Sequence, residues 1–324
     1  MNQDLEIKTK NSVTKPQEDL LRVVYIAGVG RSGSTVLDSV LGNHPQIQSV
    51  GELSRLASDG WIHNFYCSCG KRSKECPFWV EVYEAWCASN GEFSVQEYVE
   101  TQNNVEQFRR LPALVRDSLR KTPTFQTYAE QTLLVLKAVQ KVSGRSVIVD
   151  SSKGIERAFI LSLIPEIDLR IVQLVRDPRG VVWSHKKAFT KDLQNGLPRD
   201  IESMPSWRAA LYWCRMNMEA DWLRKRLGPE KALLVRYEDF MLNTLPVLQK
   251  IGDFIDVDLS DVQRSIEQGE KLYFDHTIAG NRVRMKGKLE LKFDQEWQQN
   301  LPSKDRLITE LLSGWLMARY GYKR

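Results

Sequence analysis

The chain has 324 residues, of which 42% are hydrophobic, so it can bury a large core as one big α/β domain or two smaller ones. Its formal charge of +5 comes from 46 Lys and Arg against 41 Asp and Glu. This modest excess does not indicate a nucleic-acid-binding protein but favours a small anionic ligand. No apolar run approaches the roughly 20 residues that span a bilayer, and the N-terminus lacks the apolar core of a signal peptide. We therefore expect a soluble, cytoplasmic protein without membrane contact.

The pattern of the chain predicts one domain preceded by a tail. Residues 1–20 are polar and are expected to be disordered, whereas buried strands and helices alternate through residues 21–324. This alternation predicts an α/β fold, a three-layer sandwich with a central parallel sheet. A helical cap is expected as an insertion at about residues 60–140.

The first strand leads into a glycine-rich loop. Val23 to Gly28 is predicted to be a buried parallel strand, and residues 28–35 follow with the sequence GVGRSGST. Glycines there let successive N–H groups turn towards one point at the N-terminus of the next helix, where a phosphate binds. Close packing alone is the alternative explanation of such a turn.

This loop differs from the nucleotide-phosphate loop G-x-x-x-x-G-K-[ST]. Gly28, Gly33 and Thr35 fit that pattern, but Ser34 stands where the lysine is required, and the cation is Arg31. One 5′-phosphate carrying a leaving group suits this arrangement better than a magnesium-bound triphosphate. Kinase chemistry is therefore disfavoured.

A glutamate follows the second strand. The helix after the loop is predicted to end at residues 42–45, and Ile47 to Val50 is predicted to be a short strand that leads to Glu52. Ligands of open α/β sheets bind at such strand ends. Glu52 is accordingly either a charge at a helix N-terminus or a catalytic residue.

Residues 60–140 are rich in aromatic and polar residues, and the aromatic ones are predicted to be mainly core. Cys67, Cys69 and Cys76 lie in this region near His63. Zinc is conceivable there, but C-x-C-x6-C lacks the paired C-x2-C spacing of ordinary structural sites, so a packed loop is favoured and no metal is predicted. Two further cysteines, Cys87 and Cys214, are expected in the core.

Two later strands end in charged residues. Ser146 to Asp150 is predicted to be buried, and Lys153 follows it as a candidate for the active cleft, because a cation is disfavoured in the first turn of a helix. Leu169 to Val175 is followed by Arg176. Arg176 and Ser184, about two helical turns later, are predicted to converge on a second anion. Two anion sites imply a ligand phosphorylated at both ends.

The C-terminal third contributes a scaffold, a strand and a loop. Ser206 to Leu227 is predicted to be a long helix, and the last strand is predicted to comprise Ala232 to Val235 and Tyr237. Residues 275–288, here called the basic loop, carry four cations in their last seven positions and include His276. They form either a solvated charge run or a flap that closes on an anion.

Together, the loop GVGRSGST, the segment LVRDPRGVVWS, the segment RYEDF and the basic loop resemble the sulfotransferases that use 3′-phosphoadenosine-5′-phosphosulfate (PAPS). The resemblance extends from about Val23 to Trp297. The segment RSGST, followed by NHP and then Gly51-Glu52, looks closer to the tyrosylprotein and bacterial sulfotransferases, in which a glutamate after the first helix is the base; the resemblance therefore points to Glu52. His276 is the alternative base. Cytosolic members have a lysine in place of Arg31.

The resemblance also implies the other site residues. It places the 5′-phosphate at residues 30–35, and the residues concerned are Gly30, Arg31, Ser32, Gly33, Ser34 and Thr35. It places the 3′-phosphate at Arg176 and Ser184, adenine at Tyr237, and the closing contacts of the basic loop at Arg284, Lys286 and Gly287.

The implied reaction is in-line transfer of the sulfuryl group from PAPS to a hydroxyl or amine of a small organic or carbohydrate-like acceptor, without a metal. Glu52 takes the acceptor proton, and Lys153 with Arg31 stabilises the developing charge. A magnesium-dependent kinase and a non-catalytic PAPS-binding protein are the alternatives. The sequence indicates neither the acceptor nor the oligomeric state.

Overall fold

A computed structural model describes residues 20–106 and 111–323. Its centre is a sheet of five parallel strands in the order β2-β3-β1-β4-β5. The strands are β1 (Leu21–Gly28), β2 (Ile47–Gly51), β3 (Val147–Lys153), β4 (Ile167–Val175) and β5 (Ala232–Arg236). Val24 on β1 pairs with Val149 on one side and Arg170 on the other, which places β1 in the middle. The glycine-rich loop at residues 28–35, called the phosphate loop below, therefore leaves the sheet at its centre.

Helices cover both faces of the sheet, which confirms the predicted α/β sandwich. The helices are α1 (Ser34–Gly42), α2 (Pro77–Cys87), α3 (Val95–Val105), α4 (Leu111–Arg120), α5 (Pro123–Ser143), α6 (Ile155–Leu161), α7 (Pro178–Lys186), α8 (Ser206–Leu227), α9 (Tyr237–Leu242), α10 (Thr244–Ile255), α11 (Ser260–Glu267), α12 (Glu296–Asn300) and α13 (Ser303–Arg319). Short helical turns also occur at Leu53–Arg55, Leu56–Ile62 and Arg282–Lys286, and β6 (Leu272–Tyr273) pairs antiparallel with β7 (Lys288–Leu289).

The alternation along β1 shows how the layers form. Val23 and Tyr25 belong to a core cluster that includes residues of α2, α5, α6 and α8, whereas Val24 and Ile26 belong to a cluster with residues of α1, α9 and α10. Successive side chains of a strand point to opposite faces, so a strand that is apolar throughout must be covered on both. All four of these side chains are fully buried.

The segment between β2 and β3 forms the helices α2 to α5, with α2 packed on α5. Trp79 and Trp86 are buried as expected, and Trp86 stacks on Trp61 with ring centroids 5.0 Å apart, but Tyr83 is 39% exposed. The helical character predicted for about residues 60–140 is present, although residues 107–110 lie outside the described part. The predicted tail at residues 1–20 lies almost entirely outside it, and the division into tail and single domain stays a prediction.

The element boundaries at two predicted site residues, Lys153 and Tyr237, need correction. β3 continues through Lys153 rather than ending at Asp150. Tyr237 is the first residue of α9, not part of the last strand, because Glu238 and Asp239 follow it and acidic residues favour the N-terminal turn of a helix. Both changes affect residues at the carboxyl edge of the sheet. Within the described residues, no helix combines the length and apolar character needed to cross a bilayer.

Candidate active site

The phosphate loop is shaped by contacts with its neighbours. Gly28 has φ 143°, and a Cβ there would lie 2.5 Å from the carbonyl oxygen of Leu174 on β4. Arg31 adopts a left-handed conformation with φ 72°, and α1 begins at Ser34. The loop thus turns sharply between the sheet and a helix N-terminus, which is the geometry that concentrates N–H groups and positive potential on an anion.

Ser32 provides the clearest sign that this loop is built for a ligand. Its side chain is 1% exposed, and its Oγ has no hydrogen-bond partner in the described structure. A buried hydroxyl without a partner carries a desolvation cost of about 1–3 kcal/mol unless something else accepts its proton. A phosphate oxygen would supply that acceptor. The residues of the loop therefore fit a ligand that carries a phosphate group.

Tyr237 links the two predicted phosphate motifs. Its ring packs against Gly33, where an added Cβ would lie 2.5 Å from the ring carbon Cδ2. The guanidinium of Arg176 lies 4.6 Å from the ring centroid on the same tyrosine. Tyr237 is 4% exposed. The ring thus contacts both Gly33 and Arg176, and the predicted contact with adenine stays a prediction.

Arg176 is bonded to the phosphate loop itself. Its Nη1 donates to the carbonyl oxygen of Arg31 at 3.0 Å, and its Nη2 donates to the Asp294 carboxylate at 3.0 Å. Arg176 lowers the pKa of Asp294, against the opposing effect of burial. Ser184 lies half-buried in α7, two turns after the strand end. Asp177 caps α7 by accepting a hydrogen bond from the N–H of Arg179.

Glu52 and Lys153 form an ion pair beside the loop. Lys153 Nζ donates to Glu52 Oε1 at 2.5 Å and to the Ser151 carbonyl oxygen at 3.0 Å. The side chain of Glu52 is 23% exposed and that of Lys153 is 16% exposed, so ligands can reach both. Lys153 holds φ 71°, an uncommon conformation for a residue other than glycine, and one that marks functional sites. The chain thus brings the predicted base and the predicted cation into contact.

The basic loop closes over this pair. The N–H of Ile278 donates to the Val50 carbonyl oxygen, and the Glu52 N–H donates to the Ile278 carbonyl oxygen, so the loop extends the edge of β2. The N–H of Asn281 then donates to Thr35 Oγ1 at 3.2 Å. Gly280 lies between Thr35 and Glu52, since a Cβ there would be 3.3 Å from Thr35 Oγ1 and 3.6 Å from Glu52 Oε1.

The three residues predicted to close on the 3′-phosphate differ in their placement. Arg284 is 3% exposed, and its guanidinium donates to the carbonyl oxygens of Thr277 and Tyr66. Burial lowers its pKa. Lys286 and Gly287 are exposed at the end of the Arg282–Lys286 turn. Arg284 therefore already holds the basic loop, while the roles predicted for all three on the donor stay predictions.

Sequence reasoning missed two residues at the loop, His185 and Tyr212. His185 lies beside the backbone of Gly30, and burial together with the charge of Arg31 lowers its pKa to about 4. Its ring packs edge-on against Tyr212, which also contacts the Gly30 backbone and lies near Glu52. Both residues come from helices beyond Arg176, and only the folded chain brings them to the loop.

His276 lies with cysteines, not with the donor loop. Its Nδ1 is 3.2 Å from Cys76 Sγ and 3.7 Å from Cys67 Sγ. The histidine beside the cysteines is thus His276 rather than His63, which stacks on Phe65. His276, the predicted alternative base, therefore contacts the cysteines through its imidazole ring.

Comparisons with known proteins agree with this picture. A family model described as "Sulfotransferase family" matches residues 24–261, more than half of the chain. Human carbohydrate sulfotransferase 3 is 27% identical over 176 residues, which are 49% of this chain and 34% of the human protein. The chain therefore spans about a third of the length of that relative.

Solved structures with similar backbones include two sulfotransferase domains. The domain from the olefin synthase of Synechococcus PCC 7002 is 20% identical with a TM-score of 0.48, and the match covers 96% of this chain and 98% of that one. The domain from the curacin biosynthetic pathway is 19% identical with a TM-score of 0.48, covering 94% and 99%.

Proposed function

Because the chain belongs to the sulfotransferase family, we propose that it transfers the sulfuryl group of PAPS to a hydroxyl of a small carbohydrate-like or natural-product acceptor and releases 3′-phosphoadenosine-5′-phosphate. The observation that carries this proposal is the buried, unpartnered Ser32 hydroxyl in a loop that Glu52 and Lys153 adjoin. One side of the site thus offers donors to a phosphate, and the other offers a carboxylate to an attacking hydroxyl.

The local charges suit an anionic donor. Burial lowers the pKa of Arg31, the Glu52 carboxylate opposes that change, and Arg282 adds a second nearby cation. With Lys153 these groups give the cleft a positive potential, which attracts a donor that carries two phosphate groups. Remote contacts to the second phosphate position the donor without taking part in the chemistry.

The proposed roles follow from the contacts. Glu52 takes the proton of the acceptor hydroxyl as its oxygen attacks sulfur, and the sulfur–oxygen bond to the 5′-phosphate breaks. Lys153, whose Nζ donates to Glu52, would donate to the oxygen on which charge develops. The loop N–H groups and Arg31 stabilise the departing phosphate. Glu52 thus removes the proton while the cations stabilise the leaving group.

The name of the human relative supports a carbohydrate acceptor, although that relative matches over only 49% of this chain. A carbohydrate hydroxyl has a high pKa and needs a base at the moment of attack, which Glu52 supplies. We propose hydroxyl rather than amine acceptors on this ground.

Calorimetric titration with 3′-phosphoadenosine-5′-phosphate, beside magnesium-ATP and AMP, tests the donor site. We expect tight binding of the bisphosphate alone, weakened by Arg176→Ala by roughly 10- to 100-fold, as expected for loss of a charged hydrogen bond. Lys304→Ala, an exposed cation elsewhere, serves as the control. Preference for magnesium-ATP would return the kinase alternative, and binding without turnover on any acceptor would indicate a non-catalytic protein.

A further inference from the structure

The cysteine loop, residues 66–76, is a compact turn at the edge of the active site. Tyr66 pairs with Arg72 in an antiparallel bridge, and the N–H of Cys67 donates to the Lys71 carbonyl oxygen at 2.9 Å. Gly70 takes φ 84° at the tip. Cys76 ends the loop as the N-cap residue of α2. The turn thus places three cysteines close together despite their unusual spacing in the sequence.

The fourth member of the cluster comes from 200 residues further along the chain. The sulfur atoms of Cys67, Cys69 and Cys76 and a ring nitrogen of His276 all lie within 4.8 Å of one another. Cys69 Sγ is 3.6 Å from Cys76 Sγ, and His276 Nδ1 is 3.2 Å from Cys76 Sγ and 3.7 Å from Cys67 Sγ.

These separations match the edges of a zinc tetrahedron. With Zn–S of about 2.3 Å and Zn–N of about 2.0–2.1 Å, tetrahedral angles place two sulfurs about 3.8 Å apart and a sulfur and a nitrogen about 3.6 Å apart. A disulfide needs sulfurs about 2.0 Å apart, and all three cysteines are free thiols. Four ligand atoms around one point are thus better explained by a metal than by a bond between two of them.

His276 is held in position by its own surroundings. The Asp275 carboxylate accepts from Arg145 at 2.6 Å and from Gln48 at 3.0 Å, and it also accepts from the backbone N–H of His276 at 2.8 Å. The imidazole stacks on Phe78 with ring centroids 5.1 Å apart. Groups behind a ligand that fix its orientation are typical of metal sites.

We propose that Cys67, Cys69, Cys76 and His276 bind one zinc ion in a closed, structural Cys3His site. The thiols release their protons to solvent on binding, and His276 ligates through Nδ1 as the neutral imidazole. Buried Arg284 lies near Cys67 and Cys69 and offsets the excess negative charge of three thiolates on a divalent ion.

The site would join the cysteine loop to the segment that positions Glu52. Ser68 exchanges hydrogen bonds with Thr277, one residue after His276, and Ile278 then bonds to both sides of the Glu52 strand end. Arg284 connects the same two segments through the carbonyl oxygens of Tyr66 and Thr277. Zinc would therefore fix one wall of the active site without contacting the reacting groups, and His276 would not be the base.

Metal analysis of the full-length protein by inductively coupled plasma mass spectrometry tests this proposal. We expect about one zinc per chain, lost in Cys69→Ser and retained in Cys87→Ser, which changes a cysteine outside the cluster. Cys69 is the exposed member, so its replacement is the variant least disruptive to folding. A metal chelator should lower the melting temperature of the wild type and leave that of Cys69→Ser unchanged.

Cobalt substitution provides a second readout. Cobalt(II) in the site should show the ligand-field bands of tetrahedral coordination and thiolate charge-transfer absorption, and His276→Ala should alter both. The proposal is overturned if the protein purified from zinc-supplemented cells contains no stoichiometric zinc and does not take up cobalt. A Cys69–Cys76 disulfide detected by mass spectrometry in freshly prepared protein would overturn it equally.

Discussion

The phosphate loop and the wall opposite it are built in different ways. The loop, residues 28–35, is contiguous, and its ligand groups lie within one turn between β1 and α1. The Glu52 wall, comprising Glu52, Lys153 and residues 278–281, draws on three segments separated by about a hundred residues or more. A contiguous turn can fix backbone donors locally, whereas a wall depends on packing to bring side chains together. Binding should therefore depend mainly on the loop, and turnover on the wall.

Glu52→Gln tests the division most strongly. Glutamine keeps an oxygen for Lys153 but cannot take a proton, so we expect kcat to fall by about 10²–10⁴ while donor affinity changes little. Steady-state rates and bisphosphate titration measure the two separately. Glu92→Gln, at an exposed position, is the control. Unchanged kcat in Glu52→Gln would remove Glu52 from the role of base.

Gly33→Ala tests whether the loop is as self-contained as its sequence suggests. An alanine Cβ would overlap the Tyr237 ring at 2.5 Å and would have to adopt φ 90°. We expect the free energy of unfolding to fall by about 3 kcal/mol, from strain and overpacking, and donor affinity to fall with it. Denaturant unfolding measures the first effect.

Gly91→Ala is the matched control, because Gly91 also has positive φ but no atom within 4 Å of an added Cβ. Gly30→Ala sharpens the test, since its Cβ would also meet no atom within 4 Å. It should leave stability unchanged and weaken donor binding. Equal loss of stability in all three variants would mean that Tyr237 does not shape the loop.

The pH dependence of stability reports on His185 beneath the loop. Burial, with Arg31 beside it, lowers the pKa of His185 to about 4, so the unfolded chain binds more protons between that pH and about 6.5. The stabilisation is complete above about pH 6.5 and decreases as the pH falls towards 4, by about 2.5 kcal/mol near pH 4.5. Denaturant unfolding measured from pH 7 to 4.5 gives the free energy of unfolding at each pH. This free energy should fall less steeply with decreasing pH in His185→Asn than in the wild type.

His63→Asn, which alters an exposed histidine, should keep the wild-type slope. Identical slopes for the wild type and His185→Asn would show that His185 does not resist protonation. The inference that its ring is neutral beside Gly30 would then be wrong.

Ser32→Ala has the smallest expected effect on stability, and it tests the contribution of the phosphate loop to donor binding alone. Removing a buried hydroxyl without a partner should leave the free energy of unfolding unchanged or slightly raise it, because nothing in the described structure accepts its proton. Donor affinity should fall by roughly tenfold, the worth of one hydrogen bond to a charged group. Ser118→Ala, in α4, is the control. Undiminished affinity would place the phosphate elsewhere.

Much of the fold follows from the sequence. The five strands, α1 and the helix Ser206–Leu227 occur where apolar runs and helical spacing predict them, and the glycine loop lies between β1 and α1. The family was also identifiable, because its motifs are contiguous. The boundaries at Lys153 and Tyr237 were wrong by one to three residues, since strand ends depend on the neighbouring strand and on the charges of the following turn.

The local sequence determined the phosphate loop, because a turn of eight residues contains its own glycines, hydroxyls and cation. Only the tertiary structure decided that Lys153 contacts Glu52, that Tyr237 packs against Arg176, and that His276 meets Cys76. These partners are 101, 61 and 200 residues apart, and nothing in either local sequence of a pair specifies the other. Such contacts arise when buried strands and helices pack, because packing rather than spacing fixes which side chains share one volume.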